Sequence, residues 1–139
     1  MIVRLENLDS VAKEILSKYS DYRIFVLNGE MGAGKTTFSK SLCASLGAID
    51  DVTSPTFAIA NVYQTKSGGE IYHFDFYRLE NSQEALDIGL DDYLYSGNYC
   101  FMEWADIIID YIPKPYIKIN ILHTDDNDER RIECEDVKM

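Results

Sequence analysis

Basic residues are scarce in this sequence: 13 Lys and Arg stand against 24 Asp and Glu, which gives a formal net charge of −11. Proteins that bind nucleic acid without a partner need basic patches, because those patches displace counterions from the phosphates. The chain has one adjacent basic pair, Arg130-Arg131, and it stands within an acidic tail. We therefore expect any contact with RNA to be indirect.

Cysteines and long apolar runs are scarce as well. Cys43, Cys100 and Cys134 form no Cys-x-x-Cys pair, which argues against a disulfide framework and against a zinc site. No apolar stretch reaches the roughly 18 residues that would span a membrane. The first residues, MIVRLENLDS, carry charges where a secretory signal has an apolar core. We expect a cytoplasmic protein in a reducing compartment, with no membrane partner.

One complete motif stands near the start of the chain, at residues 29–36, which we call the phosphate loop. It reads Gly29-Glu30-Met31-Gly32-Ala33-Gly34-Lys35-Thr36 and fills every fixed position of G-x-x-x-x-G-K-[ST]. Glycines let the backbone approach a phosphate without Cβ clashes, and amides at the start of a helix attract anions. Lys35 is the predicted partner of the β- and γ-phosphates, and the Thr36 hydroxyl is the usual Mg²⁺ ligand. The motif predicts a nucleotide site whose phosphate contacts are Gly32, Ala33, Gly34, Lys35, Thr36 and Thr37.

The residues on both sides of the phosphate loop have the periodicity that such a site needs. Residues 23–27 are a short β-rich run, and Phe38, Leu42 and Leu46 recur on one helical face after the loop. We therefore predict a strand that leads into the loop and a helix over residues 35–46 that ends at Gly47.

A hydroxyl-rich stretch follows this helix and reads Thr53-Ser54-Pro55-Thr56-Phe57. Pro55 keeps Ser54 out of helical geometry, and a loop of this kind could contact Mg²⁺ or a γ-phosphate. Hydroxyl residues beside a proline are also typical of a plain turn, and the local sequence alone favours the turn.

Residues 58–63 and 70–77 flank a loop with two glycines and predict an antiparallel hairpin. In the second strand, alternation places His73 and Asp75 on one face with apolar neighbours. A half-buried carboxylate needs a partner, so we treat Asp75 as a candidate functional residue rather than an ordinary surface one.

The apolar run at residues 99–102 predicts a central parallel strand covered on both faces, and it leads into Glu103-Trp104. A carboxylate at the carboxyl end of such a strand is where nucleotide-binding α/β proteins help to hold Mg²⁺. Glu103 is our first choice as the metal ligand beside Thr36, with Asp75 as the competitor. Trp104 is either part of the core or a lid over the site, and the sequence does not decide between them.

The remaining patterns complete a single α/β domain over residues 1–139. Residues 8–19 predict an amphipathic helix, a capping box at residues 81–84 opens another, and residues 105–112 can form a short one. Residues 117–121 and 130–137 predict strands. The predicted fold is P-loop NTPase-like, with three layers and a mostly parallel central sheet that carries one antiparallel hairpin.

Four motifs together resemble the TsaE family, the small bacterial ATPases of tRNA threonylcarbamoyladenosine biosynthesis. They are the phosphate loop, Thr53-Ser54-Pro55-Thr56-Phe57, His73-Phe74-Asp75-Phe76-Tyr77-Arg78-Leu79 and Met102-Glu103-Trp104, in this order. The resemblance extends over about residues 5–122 of the chain. It implies a P-loop α/β fold, hydrolysis of ATP with Mg²⁺, and joint action with the TsaB–TsaD pair, which carries the transferase activity. It also implies that tRNA is reached only through that pair.

The resemblance assigns roles to the candidate residues. It implies that Lys35, Asp75 and Glu103 are catalytic and that Thr36 and Glu103 hold Mg²⁺. Asp75 would stand beside the γ-phosphate and orient the attacking water.

The same resemblance reverses the preference for a plain turn at the hydroxyl-rich stretch. It implies a switch-like loop in which Thr53, Ser54 and Thr56 lie near the γ-phosphate. The adenine contacts are not visible in the sequence, although the start of the chain and the turn at residues 125–130 are candidates by position. The further candidates, all within the matching motifs, are His73, Tyr77, Arg78 and Trp104.

Other classes of nucleotide-binding protein are distinguishable from an ATPase. A GTPase would need N-K-x-D and D-x-x-G motifs, and neither occurs in the sequence. A small P-loop kinase would need a basic lid, for which Arg78, Arg130 and Arg131 are too few and too scattered. A nucleotide-gated adaptor, which binds ATP without hydrolysing it, is the non-enzymatic alternative. Phosphate release separates the three: partner-dependent in the ATPase, acceptor-dependent in the kinase and absent in the adaptor.

Overall fold

Seven strands form one sheet in the part of the chain that the computed structural model describes, residues 1–30, 32–49 and 60–138. The strands are β1 (Ile2–Arg4), β2 (Ile24–Asn28), β3 (Ala60–Gln64), β4 (Glu70–Asp75), β5 (Tyr99–Glu103), β6 (Tyr116–His123) and β7 (Glu129–Val137). Their order across the sheet is β1-β7-β6-β2-β5-β4-β3, so the strand that leads into the phosphate loop lies at the centre.

The four central strands, β6, β2, β5 and β4, are parallel to one another, whereas both edges of the sheet are antiparallel. The predicted hairpin is present as β3 and β4. The prediction of one antiparallel hairpin is incomplete, because β6 and β7 form a second one and β1 pairs with β7. The short turn between β6 and β7 leaves no room for the crossover that a parallel pair requires.

Four α-helices and two 3₁₀ helices accompany the sheet within the described ranges. They are α1 (Leu8–Lys18), α2 (Lys35–Ser45), α3 (Ser82–Asp87), α4 (Leu90–Leu94) and the 3₁₀ helices Leu5–Asn7 and Ala105–Tyr111. The helices predicted over residues 8–19 and 35–46 are confirmed to within one residue at their ends. The short helix predicted over residues 105–112 is a 3₁₀ helix, with Ile108 outside helical geometry.

Alternate side chains of the central strands pack on opposite faces of the sheet. On β2, Phe25 and Leu27 pack with α1 and α2, whereas Ile24 and Val26 pack with α3, α4 and the 3₁₀ helix Ala105–Tyr111. Helices therefore cover the parallel strands on both faces, as the apolar run at residues 99–102 predicts. No helix in the described part of the chain is both long and apolar enough to cross a membrane.

One half of the predicted capping box is present at the start of α3, and the reciprocal bond goes to Glu80 instead of Asn81. The Asn81 side chain accepts a hydrogen bond of 3.2 Å from the Glu84 amide, which satisfies one of the unpaired donors of the first turn. The Glu84 carboxylate in turn accepts from the amide of Glu80, at 3.3 Å, one residue before the cap.

Candidate functional site

The predicted site residues meet at the carboxyl ends of three neighbouring strands. β2 leads into the phosphate loop, β5 ends at Glu103, and β4 ends at Asp75, which is the register partner of Glu103. These ends border a cavity of about 380 Å³. Its lining residues are Gly32, Gly34, Lys35, Thr36, Thr37, Asp75, Tyr77, Glu103 and Trp104.

The phosphate loop has the backbone conformation that its glycines permit. Gly32 and Gly34 have φ angles of 81° and 103°, a region that residues with a side chain rarely adopt. Helix α2 begins directly afterwards at Lys35. The first hydrogen bond of the helix runs from the Phe38 amide to the Gly34 carbonyl, at 2.8 Å. The first amides of a helix have no partners within the helix, so α2 offers an anion-binding end to the cavity.

The start of the phosphate loop lies tightly against β6. A Cβ placed on Gly29 would come within 2.6 Å of the Ile121 carbonyl oxygen, and within 3.3 Å of the Ala33 Cβ. The obstacle is backbone of a central strand, which cannot rotate away as a flexible side chain can. The loop therefore needs glycine at this position for close packing.

We expect Gly29→Ala to lower the free energy of unfolding of the nucleotide-free protein by about 1–3 kcal/mol, the usual cost of overpacking. The measurement is the urea midpoint, with Gly69→Ala as the control. A Cβ on Gly69 would make an ordinary contact of 3.5 Å with Thr65 Oγ1, so its stability should change by less than about 0.5 kcal/mol. Equal midpoints for the two variants would contradict the close approach at Gly29.

The Lys35 side chain lies back across the phosphate loop. Its Nζ donates to the Gly29 carbonyl at 2.6 Å and stands 3.3 Å from the centroid of the Trp104 ring, in a cation–π contact. The residue is only 6 % exposed, and this burial lowers the pKa of Lys35, while the carboxylates of Glu103, Asp75 and Asp106 raise it. A cation with so little hydration gains strongly from an anion that enters the cavity.

Glu103 is a buried carboxylate that accepts hydrogen bonds from two directions. The Thr36 hydroxyl donates to its two oxygens at 2.8 and 3.1 Å, and the His73 Nε2 lies 2.5 Å from Oε2. In the tautomer with its proton on Nε2, the imidazole donates this hydrogen bond to the carboxylate. His73 thus lies behind Glu103, away from the cavity, and fixes its orientation.

Asp75 differs from its predicted environment. We expected a half-buried carboxylate, but Asp75 is exposed, and the buried polar residue on this face is His73. The reason is that β4 ends at Asp75, where Oδ1 accepts from the Tyr77 amide at 3.0 Å in a turn. The carboxylate consequently stands at the mouth of the cavity with access to water.

Trp104 combines the two alternatives that the sequence leaves open. Its ring packs partly against the apolar cluster beneath α3 and α4, and it also lines the cavity over Lys35. The Tyr77 ring lies against it, with centroids 5.0 Å apart. Trp104 has a φ of 55°, which turns the chain sharply after Glu103.

The structure does not bring every candidate to the cavity. Ala33 is a buried residue of the phosphate loop, and Arg78 is exposed; neither lines the cavity as far as the structure describes it. The switch-like residues Thr53, Ser54 and Thr56 lie outside the described residues.

Two contacts of the site were missed from the sequence: the pairing of His73 with Glu103 and a hydrogen bond of 2.9 Å from Arg130 Nε to the Ala33 carbonyl. Both join residues on different strands or loops, and no spacing in the sequence predicts them. The turn at residues 125–130 was predicted only as a candidate for adenine contacts.

Comparison with known proteins identifies the family. The sequence model described as "Threonylcarbamoyl adenosine biosynthesis protein TsaE" matches residues 2–132. A relative from Bacillus subtilis, named tRNA threonylcarbamoyladenosine biosynthesis protein TsaE, is 37% identical over 130 residues, which are 94% of this chain and 80% of the relative. A relative of the same name from Haemophilus influenzae is 35% identical over 116 residues, which are 83% of this chain and 73% of the relative.

The fold agrees with these matches. A crystal structure of Bacillus subtilis YdiB superposes with a TM-score of 0.73 and 31% identity, over 99% of this chain and 84% of that one. The family model includes the phosphate loop and Glu103 and ends within β7, and the structural match covers nearly the whole chain. The chain therefore belongs to the TsaE family.

Proposed function

We propose that this protein binds ATP with Mg²⁺ and hydrolyses it to ADP and phosphate in support of tRNA threonylcarbamoyladenosine biosynthesis, on a P-loop NTPase-like fold. The observation that carries the proposal is the cavity itself. Lys35, Thr36, Asp75 and Glu103 converge there beside the glycine-rich loop and the start of α2. This is one cation, one hydroxyl and two carboxylates around an anion-binding helix end.

Lys35 is the group that binds the phosphates in this proposal. Its ammonium has the Gly29 carbonyl and the Trp104 ring as partners in the structure. A triphosphate offers charged oxygens instead, and hydrogen bonds to charged groups are stronger than those to neutral ones. The exchange favours binding of an anionic ligand over the resting contacts.

Thr36 and Glu103 fit a Mg²⁺ ion that arrives with the nucleotide. The Thr36 hydroxyl donates its proton to Glu103, which leaves its oxygen lone pairs available to a cation. Within the described residues, no three His, Cys, Asp or Glu side chains group together as a metal site. This agrees with an ion held by one or two protein oxygens and by phosphate oxygens, the usual arrangement for Mg²⁺. When bound, the ion neutralises charge on the phosphates.

Asp75 has the position and the exposure to orient the attacking water. It stands at the register position opposite Glu103, so the two carboxylates divide their roles between adjacent strands. Glu103 is buried and held in place by Thr36 and His73, which suits a fixed ligand. Asp75 is exposed to water, which suits a group that holds and aligns a nucleophile.

The cavity lacks one group that fast ATPases use, because no arginine lines it in the described part of the chain. An arginine that stabilises the transition state contributes roughly 10³–10⁵ in rate where it is present. We propose that the TsaB–TsaD pair supplies this group or orders the loop that does, and that tRNA is contacted through that pair.

We expect the isolated protein to bind ATP but to release phosphate slowly, and TsaB–TsaD to raise the steady-state rate by at least about tenfold. The measurement is phosphate release at saturating ATP and Mg²⁺, alone and with increasing amounts of the pair. Full activity without the pair would refute the coupling while leaving the ATPase proposal intact. Binding without any release would favour the adaptor, and release only with a small acceptor would favour a kinase.

A further inference from the structure

We propose that Arg130 is a positioning residue of the phosphate loop, which holds the Ala33 carbonyl and thereby directs the Gly34 amide into the cavity. The inference rests on the proposed function, since it assumes that the loop binds phosphate. It concerns a residue that lies outside the loop motif and outside the lining of the cavity.

The guanidinium of Arg130 joins two separate parts of the chain. Its Nε donates to the Ala33 carbonyl at 2.9 Å, and Nη1 donates to the carbonyls of Asn127 and Glu129 at 2.9 and 2.7 Å. The planar fork is thus fixed by the turn between β6 and β7 while it holds the loop. The Leu5 amide secures the same turn, with a hydrogen bond of 2.9 Å to the Asp128 carbonyl.

Peptide geometry converts this hydrogen bond into control of an amide. In a planar trans peptide, the C=O of one residue and the N–H of the next point in opposite directions. With the Ala33 carbonyl held towards Arg130, the Gly34 N–H faces the other way, and Gly34 lines the cavity. Arg130 therefore fixes the direction of a donor that the motif assigns to phosphate.

The conformation of Gly34 explains why such a restraint is needed. Gly34 has a φ of 103°, and glycine changes between backbone conformations more easily than any other residue. Rotation of the peptide between Ala33 and Gly34 would turn a carbonyl oxygen towards the phosphate and remove one donor from the anion site. The loop has no side chain of its own at Gly34 to prevent this rotation.

The first test observes that peptide directly by NMR. Ala33-Gly34 is the only Ala-Gly pair in the sequence, so labelling with [1-¹³C]alanine and [¹⁵N]glycine yields one carbonyl-to-amide correlation. We expect Arg130→Ala to move the Ala33 carbonyl carbon upfield and to shift or broaden the Gly34 amide in the nucleotide-free protein. Arg131→Ala, at the exposed neighbouring position, is the matched control and should leave the signal in place. An unchanged signal in Arg130→Ala would overturn the inference.

The second test measures binding of ATP, ADP and inorganic pyrophosphate by titration calorimetry. We expect Arg130→Ala to weaken all three by about tenfold, because each loses the same amide donor, and Arg131→Ala to match the parent. Arg130→Lys keeps the charge but lacks the fork that reaches both the loop and the turn, so it should bind almost as weakly as Arg130→Ala.

Two outcomes separate this inference from the proposed function. If the parent and Arg130→Ala bind ATP equally, or if Arg130→Lys restores full affinity, the positioning role is wrong and the nucleotide site stands. If the parent binds none of the three ligands, the proposed function fails and the inference fails with it.

Discussion

Replacing Lys35 by Ala is expected to reduce ATP affinity by at least about a hundredfold and to abolish measurable turnover. A hydrogen bond to a charged group contributes about 1.5–3 kcal/mol, and the ammonium is predicted to contact both the β- and γ-phosphates. Lys35 is also the only cation among the described residues that line the cavity. Nothing there replaces its charge.

The measurement is ATP binding by calorimetry together with phosphate release in the presence of TsaB–TsaD. Lys40→Ala is the matched control, because Lys40 lies on the same helix and is exposed. Turnover at the parental rate in Lys35→Ala would contradict the assignment of residues 29–36 as a phosphate loop. A loss of similar size in Lys40→Ala would point to damage of α2 rather than to a lost contact.

Neutral substitutions of Glu103 and Asp75 are expected to impair different steps of ATP hydrolysis. Glu103→Gln should raise the Mg²⁺ concentration for half-maximal turnover by at least about tenfold. Loss of a residue that only hydrogen-bonds to a metal ligand already lowers metal affinity or activity by about 10–100-fold. Asp75→Asn should lower kcat by roughly 10²–10⁴, the range for a positioned acid or base, with nucleotide affinity nearly unchanged.

A Mg²⁺ titration of phosphate release, with ADP affinity measured in parallel, separates these effects. Asp87→Asn is the control for both, because this exposed carboxylate bonds only to Gln83 among the contacts described on α3. The reverse pattern would exchange the two roles. If both variants kept the parental Mg²⁺ requirement and kcat, neither carboxylate would take part in the proposed mechanism.

Local patterns in the sequence were sufficient for the elements that carry the site. The motif at residues 29–36 is contiguous, and its glycines and lysine predict a phosphate loop without reference to the rest of the chain. Glu103 could be placed because an apolar run of strand length marks where its strand ends. In both cases, the chemical meaning lies within a few neighbouring residues.

The sequence could not predict contacts that depend on how distant strands align. His73 meets Glu103 only because β4 and β5 pair in one particular register, with Asp75 beside Glu103. Arg130 reaches Ala33 only because the chain returns past the loop as β7. The same limit explains why the predicted burial of Asp75 was wrong. Asp75 is the last residue of β4, and a difference of one residue in where a strand ends decides whether such a side chain is covered.

The place of β2 in the sheet also bears on the order of events during synthesis. Its strand neighbours are β5 and β6, with Ile24 paired to Cys100 and Phe25 to Ile117. When the phosphate loop leaves the ribosome, neither neighbour has been made, and Glu103, Ile121 and Arg130 do not yet exist. Pairing across such sequence distances is slow, because a long loop must close first. The cavity that we propose for ATP is therefore complete only when β5, β6 and the start of β7 have been made.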